Sequence, residues 1–194
     1  MGEVKSAFEK AMEKVEKLGK ASPEELKRME YVPRGNVIAA RYLRGELTDL
    51  RVELLQHGVD DRGYILEGVL ETLLRNICLP RYPRTRQTNS KAMEGILALK
   101  QNRKSVKDVF DHIEHLFTYY EASQQQVFVR LKQEFEVRLG ETRRTLEQQL
   151  GTKVKIDVER HPQFQQEWRK VEVELDAQYE KVLQEHKQRL LSVA

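Results

Sequence analysis

The sequence lacks most of the features that mark secreted, membrane-spanning or disulfide-bonded proteins. Its single cysteine, Cys78, cannot close a disulfide within the chain, and we therefore expect a reducing, cytoplasmic location. No stretch contains 18 consecutive apolar residues, so we predict neither a transmembrane helix nor a membrane partner.

Motifs that carry known catalytic or cofactor chemistry are also missing. The sequence contains no Gly-x-Gly-x-x-Gly or Gly-x-x-x-x-Gly-Lys-Ser/Thr phosphate-binding motif, no Gly-x-Ser-x-Gly nucleophile motif and no Cys-x-x-Cys pair. Extended helical chains also offer few enclosed pockets. These absences favour a non-enzymatic protein that needs no cofactor.

The balance of residue types favours long helices. Hydrophobic residues make up 39% of the chain and charged residues 34%, a combination that suits one compact globule poorly. A helix that buries one stripe and leaves its other sides in water meets this balance. We predict an all-α fold with an N-terminal multi-helix bundle and a protruding, long antiparallel two-helix arm that is coiled-coil-like.

Residues 1–104 are predicted to form the helical head. The first helix covers residues 3–18 and ends at Gly19, because its apolar residues recur at helical spacing: Val4, Ala7, Phe8, Ala11, Val15 and Leu18. The stretch Ser22-Pro23-Glu24-Glu25 combines a capping serine, a proline at the first helical position and a glutamate three residues after the cap. It therefore predicts a second helix start.

Proline and glycine divide the rest of the head. Pro33 and Gly35 are expected to end the second helix, and Gly45 is expected to divide the helical pattern that follows. A core helix then runs to about Cys78, which we predict to be a small buried hydrophobe. Pro80 ends that helix. Residues 79–90 are predicted to form a loop, after which Asn89 or Ser90 caps the next helix.

Residues 105–194 are predicted to form the arm. Between Ser105 and Leu150 there is no proline, and apolar or tolerated residues recur about every 3.7 positions. Pro162 begins a second amphipathic helix, and a short connection makes two such helices antiparallel neighbours. With Leu150 placed opposite Pro162, residues 105–118 find no partner in the arm and should pack on the head.

The connection, residues 151–161, has an unusual alternating pattern. Val154, Ile156 and Val158 alternate with charged residues, which is typical of a strand with one covered face. A lone strand needs a partner, so these three residues are candidate contacts between two copies of the chain. The alternative, a packed extended loop, is favoured because the chain offers no second strand.

The positive charge is concentrated in one segment. Residues 80–104 contain seven basic residues and one acidic residue, whereas the whole chain carries a net charge of +3. The candidate anion-binding or nucleic-acid-binding residues are Arg81, Tyr82, Arg84, Arg86 and Lys91, since arginine and lysine bind phosphate and tyrosine stacks on bases. The alternatives are a solvated loop and ion pairs with the acidic arm.

A second cluster resembles a metal site in composition. On a helix, Asp108 lies one turn from His112 and Asp111 one turn from His115, and Glu114 is close by. However, the Glu-x-x-His motif of helical di-iron proteins is absent. The simpler interpretation is the solvated face of a helix.

These observations lead to one preferred function and two alternatives. We predict a non-enzymatic helical scaffold or protein-interaction module that binds a protein partner or associates with itself. The first alternative is a nucleic-acid-binding protein that uses the basic 80–104 segment. The second is a metal-dependent helical enzyme that uses the 108–115 cluster.

Overall fold

The computed structural model describes residues 22–153 and 157–193, except for the side chains of Glu141, Leu146 and Leu150. Its helices are α1 (Pro23–Arg44), α2 (Leu50–Leu55), α3 (Val59–Arg75), α4 (Pro83–Leu99), α5 (Arg103–Leu150) and α6 (Pro162–Ser192), with a 3-10 helix at Val158–Arg160. No strand occurs in these ranges, and the all-α prediction is confirmed. The helix predicted for 3–18 lies outside the described residues.

The chain divides into two compact units, one ending at Thr72 and the other beginning at Leu73. The predicted division into a head, 1–104, and an arm, 105–194, stays a prediction. Within the described ranges, no helix is both long enough and apolar enough to cross a membrane.

Helix α1 begins where its capping motif predicts. The Ser22 hydroxyl accepts a hydrogen bond from the Glu25 backbone N–H at 3.2 Å, and the Glu25 carboxylate accepts one from the Ser22 N–H at 2.7 Å. This reciprocal capping box satisfies two backbone donors that a helix start leaves unpaired.

The predicted break at Pro33 is wrong. Helix α1 continues through Pro33 to Arg44, and Gly45 ends it in the left-handed conformation, with φ of 82°. Proline removes one helical hydrogen bond. Pro33 lies on the exposed side of α1, where water can serve the carbonyl that loses its partner.

Helices α1 and α3 approach so closely that only glycine fits at their crossing. A Cβ added at Gly35 would lie 2.0 Å from the carbonyl oxygen of Ile65, and one added at Gly68 would lie 2.1 Å from that of Val32. Both obstacles are backbone atoms of a packed helix, which cannot rotate away as a side chain can. The two glycines therefore fix the distance between α1 and α3.

Helices α5 and α6 form a long antiparallel pair, as predicted, but in a different register. Phe135 packs edge-on against Phe164 in the first turn of α6, with ring centroids 5.4 Å apart. Farther along, His112 lies 5.8 Å from His186 between centroids. Because Phe135 and not Leu150 is level with the start of α6, the prediction that residues 105–118 lack a partner in the pair is wrong.

The connection explains this register. Val158, in the 3-10 helix, is buried against Leu131 and Phe135, and Lys132 Nζ pairs with Glu159 Oε1 at 2.6 Å. The chain has therefore already returned along α5 when α6 begins. At the other end of the pair, Lys100 Nζ donates a hydrogen bond to the Val193 carbonyl.

The predicted stripe of α5 forms the buried side of the helix over most of its length. Five of its members are at most 8% exposed, namely Val106, Phe110, Ile113, Phe117 and Tyr120. Leu131 and Phe135 continue it in the cluster around Phe164. The stripe ends before Thr142, which is exposed.

Candidate functional site

The basic segment is partly helical. We predicted a loop over residues 79–90 with a helix capped by Asn89 or Ser90, but α4 begins at Pro83, so that prediction is wrong. Proline suits the first helical position because its fixed φ is helical and its missing N–H would have no partner there. Pro83 itself is the sequence signal for this helix start.

Asn89 lies inside α4 and fixes the loop before it. Its side chain is fully buried, accepts a hydrogen bond from the Cys78 N–H at 2.9 Å and donates one to the Cys78 carbonyl at 2.7 Å. The predicted burial of Cys78 is wrong, since its side chain is exposed while Ile77 and Leu79 are buried. Neighbouring side chains of an extended segment point to opposite sides.

Arg81 binds an acidic residue of its own chain. Its guanidinium Nη2 lies 2.6 Å from Asp176 Oδ2 on α6. Asp176 Oδ1 also accepts a hydrogen bond from the fully buried Tyr120 hydroxyl at 2.7 Å. Burial, followed by this hydrogen bond, raises the pKa of the Tyr120 hydroxyl far above its usual value. Arg81 therefore joins the loop to α6, and Asp176 joins α6 to α5 through Tyr120.

Arg86 binds two acidic residues of its own chain, whereas Arg81 binds one. Its Nε and Nη2 bind both carboxylate oxygens of Glu121, at 3.1 and 2.7 Å, and its Nη1 lies 2.5 Å from Glu114 Oε2. The guanidinium carbon also lies 5.4 Å from the centre of the Phe117 ring. The bidentate bond to Glu121 is the largest cause that raises the pKa of Arg86. Two of the three candidate arginines thus bind acids on the long helices.

Tyr82 and Arg84 remain at the surface beside a cavity of about 660 Å³, which we name the α4 cavity. Tyr82 is 71% exposed, and Arg84 makes no ion pair with any residue in the described ranges. Lys91, the fifth candidate, is partly buried in α4. The cavity is lined by Asn76, Cys78, Leu79, Arg81, Tyr82, Arg84, Thr85, Thr88 and Glu180.

The start of α4 adds a favourable field for negative charge at this cavity. The N-cap residue Tyr82 makes no side-chain capping bond, and the first turn contains no acidic residue. The positive end of the helix dipole is therefore offset by no carboxylate of its own turn. Glu180 lines another part of the cavity, so one edge is basic and another is acidic.

The 108–115 cluster lies on the exposed side of α5. Its members Asp108, Asp111, His112, Glu114 and His115 are all exposed. Among the residues that the structure describes, no group of three or more histidine, cysteine, aspartate or glutamate side chains is placed to hold a metal ion. Glu114 instead pairs with Arg86.

His186 gives the α5–α6 pair a pH dependence. Its ring Nδ1 is buried without a hydrogen-bond partner among the described residues, and burial, with Arg189 and His112 nearby, lowers its pKa. An unfolded chain protonates His186 near its ordinary pKa of about 6.5, whereas the folded chain resists protonation. The contribution of His186 to stability is therefore present above that pH and is lost as the pH falls through the lowered folded pKa.

We expect the midpoint of urea unfolding, followed by fluorescence of Trp168, to fall between pH 7 and pH 5. His186→Gln should show a smaller fall, because glutamine does not titrate. The exposed His115→Gln is the control and should follow the wild type. An identical fall in all three proteins contradicts a role for His186.

The predicted self-association residues are only partly covered by the structure. Val158 is 8% exposed and is buried by its own chain. Val154 and Ile156 lie outside the described residues, so contact between copies through these residues stays a prediction.

Comparison with known proteins adds a family but no activity. No curated protein matches the chain, and no solved structure does. Residues 52–192 match the model of a family described as "Family of unknown function (DUF6657)". This range contains the α4 cavity and the whole α5–α6 pair, and it covers more than half of the sequence. The chain belongs to the DUF6657 family.

Proposed function

We propose that this protein is a non-enzymatic helical interaction module whose α4 cavity receives a segment of a protein partner. The observation that carries the proposal is the α4 cavity itself, which lies between α4 and the loop that precedes it. Tyr82 and Arg84 are exposed at its edge. Tyrosine and arginine are enriched at the energetic centres of protein interfaces. Asn89 holds the chain at Cys78 with two hydrogen bonds, which favours binding because less order has to be imposed.

The lining indicates which chemistry such a segment has. The buried Leu79 and the methyl groups of Thr85 and Thr88 offer apolar contacts. Arg84 and the start of α4 favour a carboxylate. We therefore propose a partner segment that carries an apolar side chain next to an aspartate, a glutamate or a chain terminus.

The internal ion pairs are the reason for preferring a protein partner over a nucleic acid. Arg81 and Arg86 already bind carboxylates of their own chain, and each would have to give up these bonds to bind phosphate. Nucleic-acid binding normally gathers several free cations along one surface. Support for the enzyme alternative is weaker still, because its proposed ligands are spread along the exposed side of α5.

The test is co-purification from native cells with the wild-type chain and with Tyr82→Ala/Arg84→Ala. We expect the double variant to retain about tenfold less of the specific protein partner, because two interface anchors are lost. Tyr119→Ala/Arg169→Ala removes an exposed tyrosine and an exposed arginine from the long helices and is the matched control. It should retain the partner as the wild type does.

Nucleic acid is measured in the same fractions after washes at two salt concentrations. Bound nucleic acid that falls steeply with salt and is lost in Arg84→Ala would support the first alternative and contradict the proposal. Equal recovery of the partner by both double variants would show that the α4 cavity is not the contact site.

A further inference from the structure

One end of the α5–α6 pair is strongly basic. Residues 100–107 contain four basic residues and no acidic one, and residues 186–193 contain two basic residues and no acidic one. Because the whole chain carries a net charge of +3, the remainder of the chain is net negative. The positive charge of the protein is therefore a local feature of these two segments.

Two contacts place the start of α5 beside the end of α6. Lys100, just before α5, donates a hydrogen bond from Nζ to the carbonyl of Val193, just after α6. Farther along the pair, the ring centroids of His112 and His186 lie 5.8 Å apart. We name this part of the molecule the basic end. Its six basic residues are Lys100, Arg103, Lys104, Lys107, Lys187 and Arg189.

The cations of the basic end have no acidic partners in their own chain. Four of them are exposed, namely Arg103, Lys104, Lys107 and Arg189. None of the six side chains forms an ion pair with a carboxylate in the part of the chain that the structure describes. Lys187 is buried, so it adds to the electrostatic field rather than to the contact surface. The internal ion pairs that occupy Arg81 and Arg86 thus have no counterpart here.

The start of α5 also opposes the ordinary electrostatic preference of a helix. Arg103 and Lys104 occupy its first two positions, and its first turn contains no acidic residue. The N-terminus is the positive end of the helix dipole, where cations are unfavourable and anions are favourable. Helix α1 follows this preference, with Glu24 and Glu25 in its first turn. A local choice that opposes folding is expected at a functional site, and an external anion would satisfy both the dipole and the cations.

We propose that the basic end binds the phosphodiester backbone of a nucleic acid. Protein partners are normally recognised through aromatic and apolar anchors, but residues 100–107 expose none, since Val106 is fully buried. Attachment to a membrane surface uses apolar side chains that insert among the lipids, and residues 186–193 expose only Leu191 as a large apolar side chain. Phosphate contacts require cations alone, and they carry no base specificity.

The experiment is a fluorescence-anisotropy titration of the full chain with two labelled probes. One is a duplex DNA of about 20 base pairs and the other a single-stranded RNA of about 20 nucleotides, each at salt concentrations between about 50 and 200 mM. The test variant is Arg103→Gln/Lys104→Gln/Lys107→Gln, which removes three exposed cations of the basic end. It should unfold at no lower temperature than the wild type, because cations at the positive end of a helix dipole do not stabilise the helix.

The matched control removes the same charge from another part of α6. Arg169→Gln/Lys170→Gln/Lys181→Gln replaces three exposed cations that lie before residues 186–193, so it changes the net charge of the chain equally. Arg84→Ala, which tests the α4 cavity, should bind both probes as the wild type does. Because the basic end does not rest on the proposed function, this variant distinguishes failure of the one from failure of the other.

We expect the wild type to bind with an affinity that falls steeply as salt rises. The logarithm of the binding constant for the duplex should fall against the logarithm of the salt concentration with a slope of about −4. The test variant should bind at least about tenfold more weakly, with a slope that is smaller by about 2 to 3, because three phosphate contacts are lost. Binding of either probe in this way supports the proposal, and the tighter probe identifies the kind of nucleic acid.

Three results would overturn the proposal. The first is no binding of either probe by the wild type at about 50 mM salt, and the second is an equal loss in both triple variants. The third concerns polyglutamate, which should displace the duplex at least about tenfold less effectively than unlabelled DNA of equal charge, because its charges are about twice as far apart. Equal displacement by polyglutamate would assign the basic end to an acidic protein.

Discussion

Replacement of Gly35 by valine should destabilise the unit that ends at Thr72 by about 3 kcal/mol or more. Even a single Cβ at this position would lie 2.0 Å from the Ile65 carbonyl oxygen and 2.9 Å from the Val69 backbone nitrogen. Valine adds two further carbons at the same place. Helices α1 and α3 would have to move apart and lose packing along their contact. Gly68→Val should have the same effect from the other side.

The chain offers a matched control for this prediction. Gly63 also lies in α3, but nothing lies within 4 Å of its added Cβ. Gly63→Ala should stabilise the protein by about 0.5–1 kcal/mol, because alanine loses less backbone entropy in a helix than glycine does. The opposite signs separate a packing requirement from helix propensity.

Hydrogen exchange followed peptide by peptide measures both effects. In Gly35→Val, the amides of α1 and α3 should exchange faster. A loss of less than about 1 kcal/mol for both valine variants would mean that the two helices tolerate separation, and would contradict the close crossing.

Gly35 and Gly68 also show how much of the fold could be predicted from the sequence. Helical periodicity and caps predicted the all-α fold, the start of α1 after Ser22, the end of α5 at Leu150 and the start of α6 at Pro162, because each signal is local. The close contact of Gly35 with α3 depends on Gly68, which lies 33 positions away along the chain. In the sequence, Gly35 next to Pro33 was indistinguishable from a helix break.

The register of the long helices failed for a similar reason. Antiparallel pairing was predicted from the two apolar stripes, but the offset depends on where the connection packs. Val158 folds back against Leu131 and Phe135, and an alternating pattern could not reveal that a 3-10 turn would form there. The predicted register assumed a short loop between the ends of the two helices, and that assumption is wrong.

Charge directed attention to the segment beside the α4 cavity, but charge could not reveal which of its arginines bind acids of their own chain. The excess of basic residues led to Arg81, Tyr82, Arg84, Arg86 and Lys91, and three of these line the α4 cavity. Which arginines are internally bound depends on Asp176 and Glu121, acids about 95 and 35 positions away along the chain. Asn89, which fixes the loop, was noticed only as a possible helix cap.

Removal of the Asp176 carboxylate should destabilise the unit that begins at Leu73. Asp176→Ala leaves the Tyr120 hydroxyl buried without its acceptor and deprives Arg81 of its partner. We expect a loss of about 2–3 kcal/mol, most of it from the unpaired hydroxyl, because the half-exposed Arg81 can be hydrated again. Arg81→Ala keeps the acceptor of the Tyr120 hydroxyl but leaves the Asp176 carboxylate, whose side chain is 12% exposed, without its cation, so it should also destabilise this unit.

A double variant distinguishes an unpaired hydroxyl from a general loss of packing. In Tyr120→Phe/Asp176→Leu, both polar partners become apolar, so no buried group lacks a hydrogen bond, and the loss should be smaller than for Asp176→Ala. Glu174→Ala, an exposed acid on the same helix, is the control and should stay within about 0.5 kcal/mol of the wild type. Urea unfolding followed by Trp168 measures all four variants. If the double variant is less stable than Asp176→Ala, packing at this site contributes more to the free energy of unfolding than the hydrogen bond does. The buried Tyr120–Asp176 hydrogen bond is then not the main link between α5 and α6.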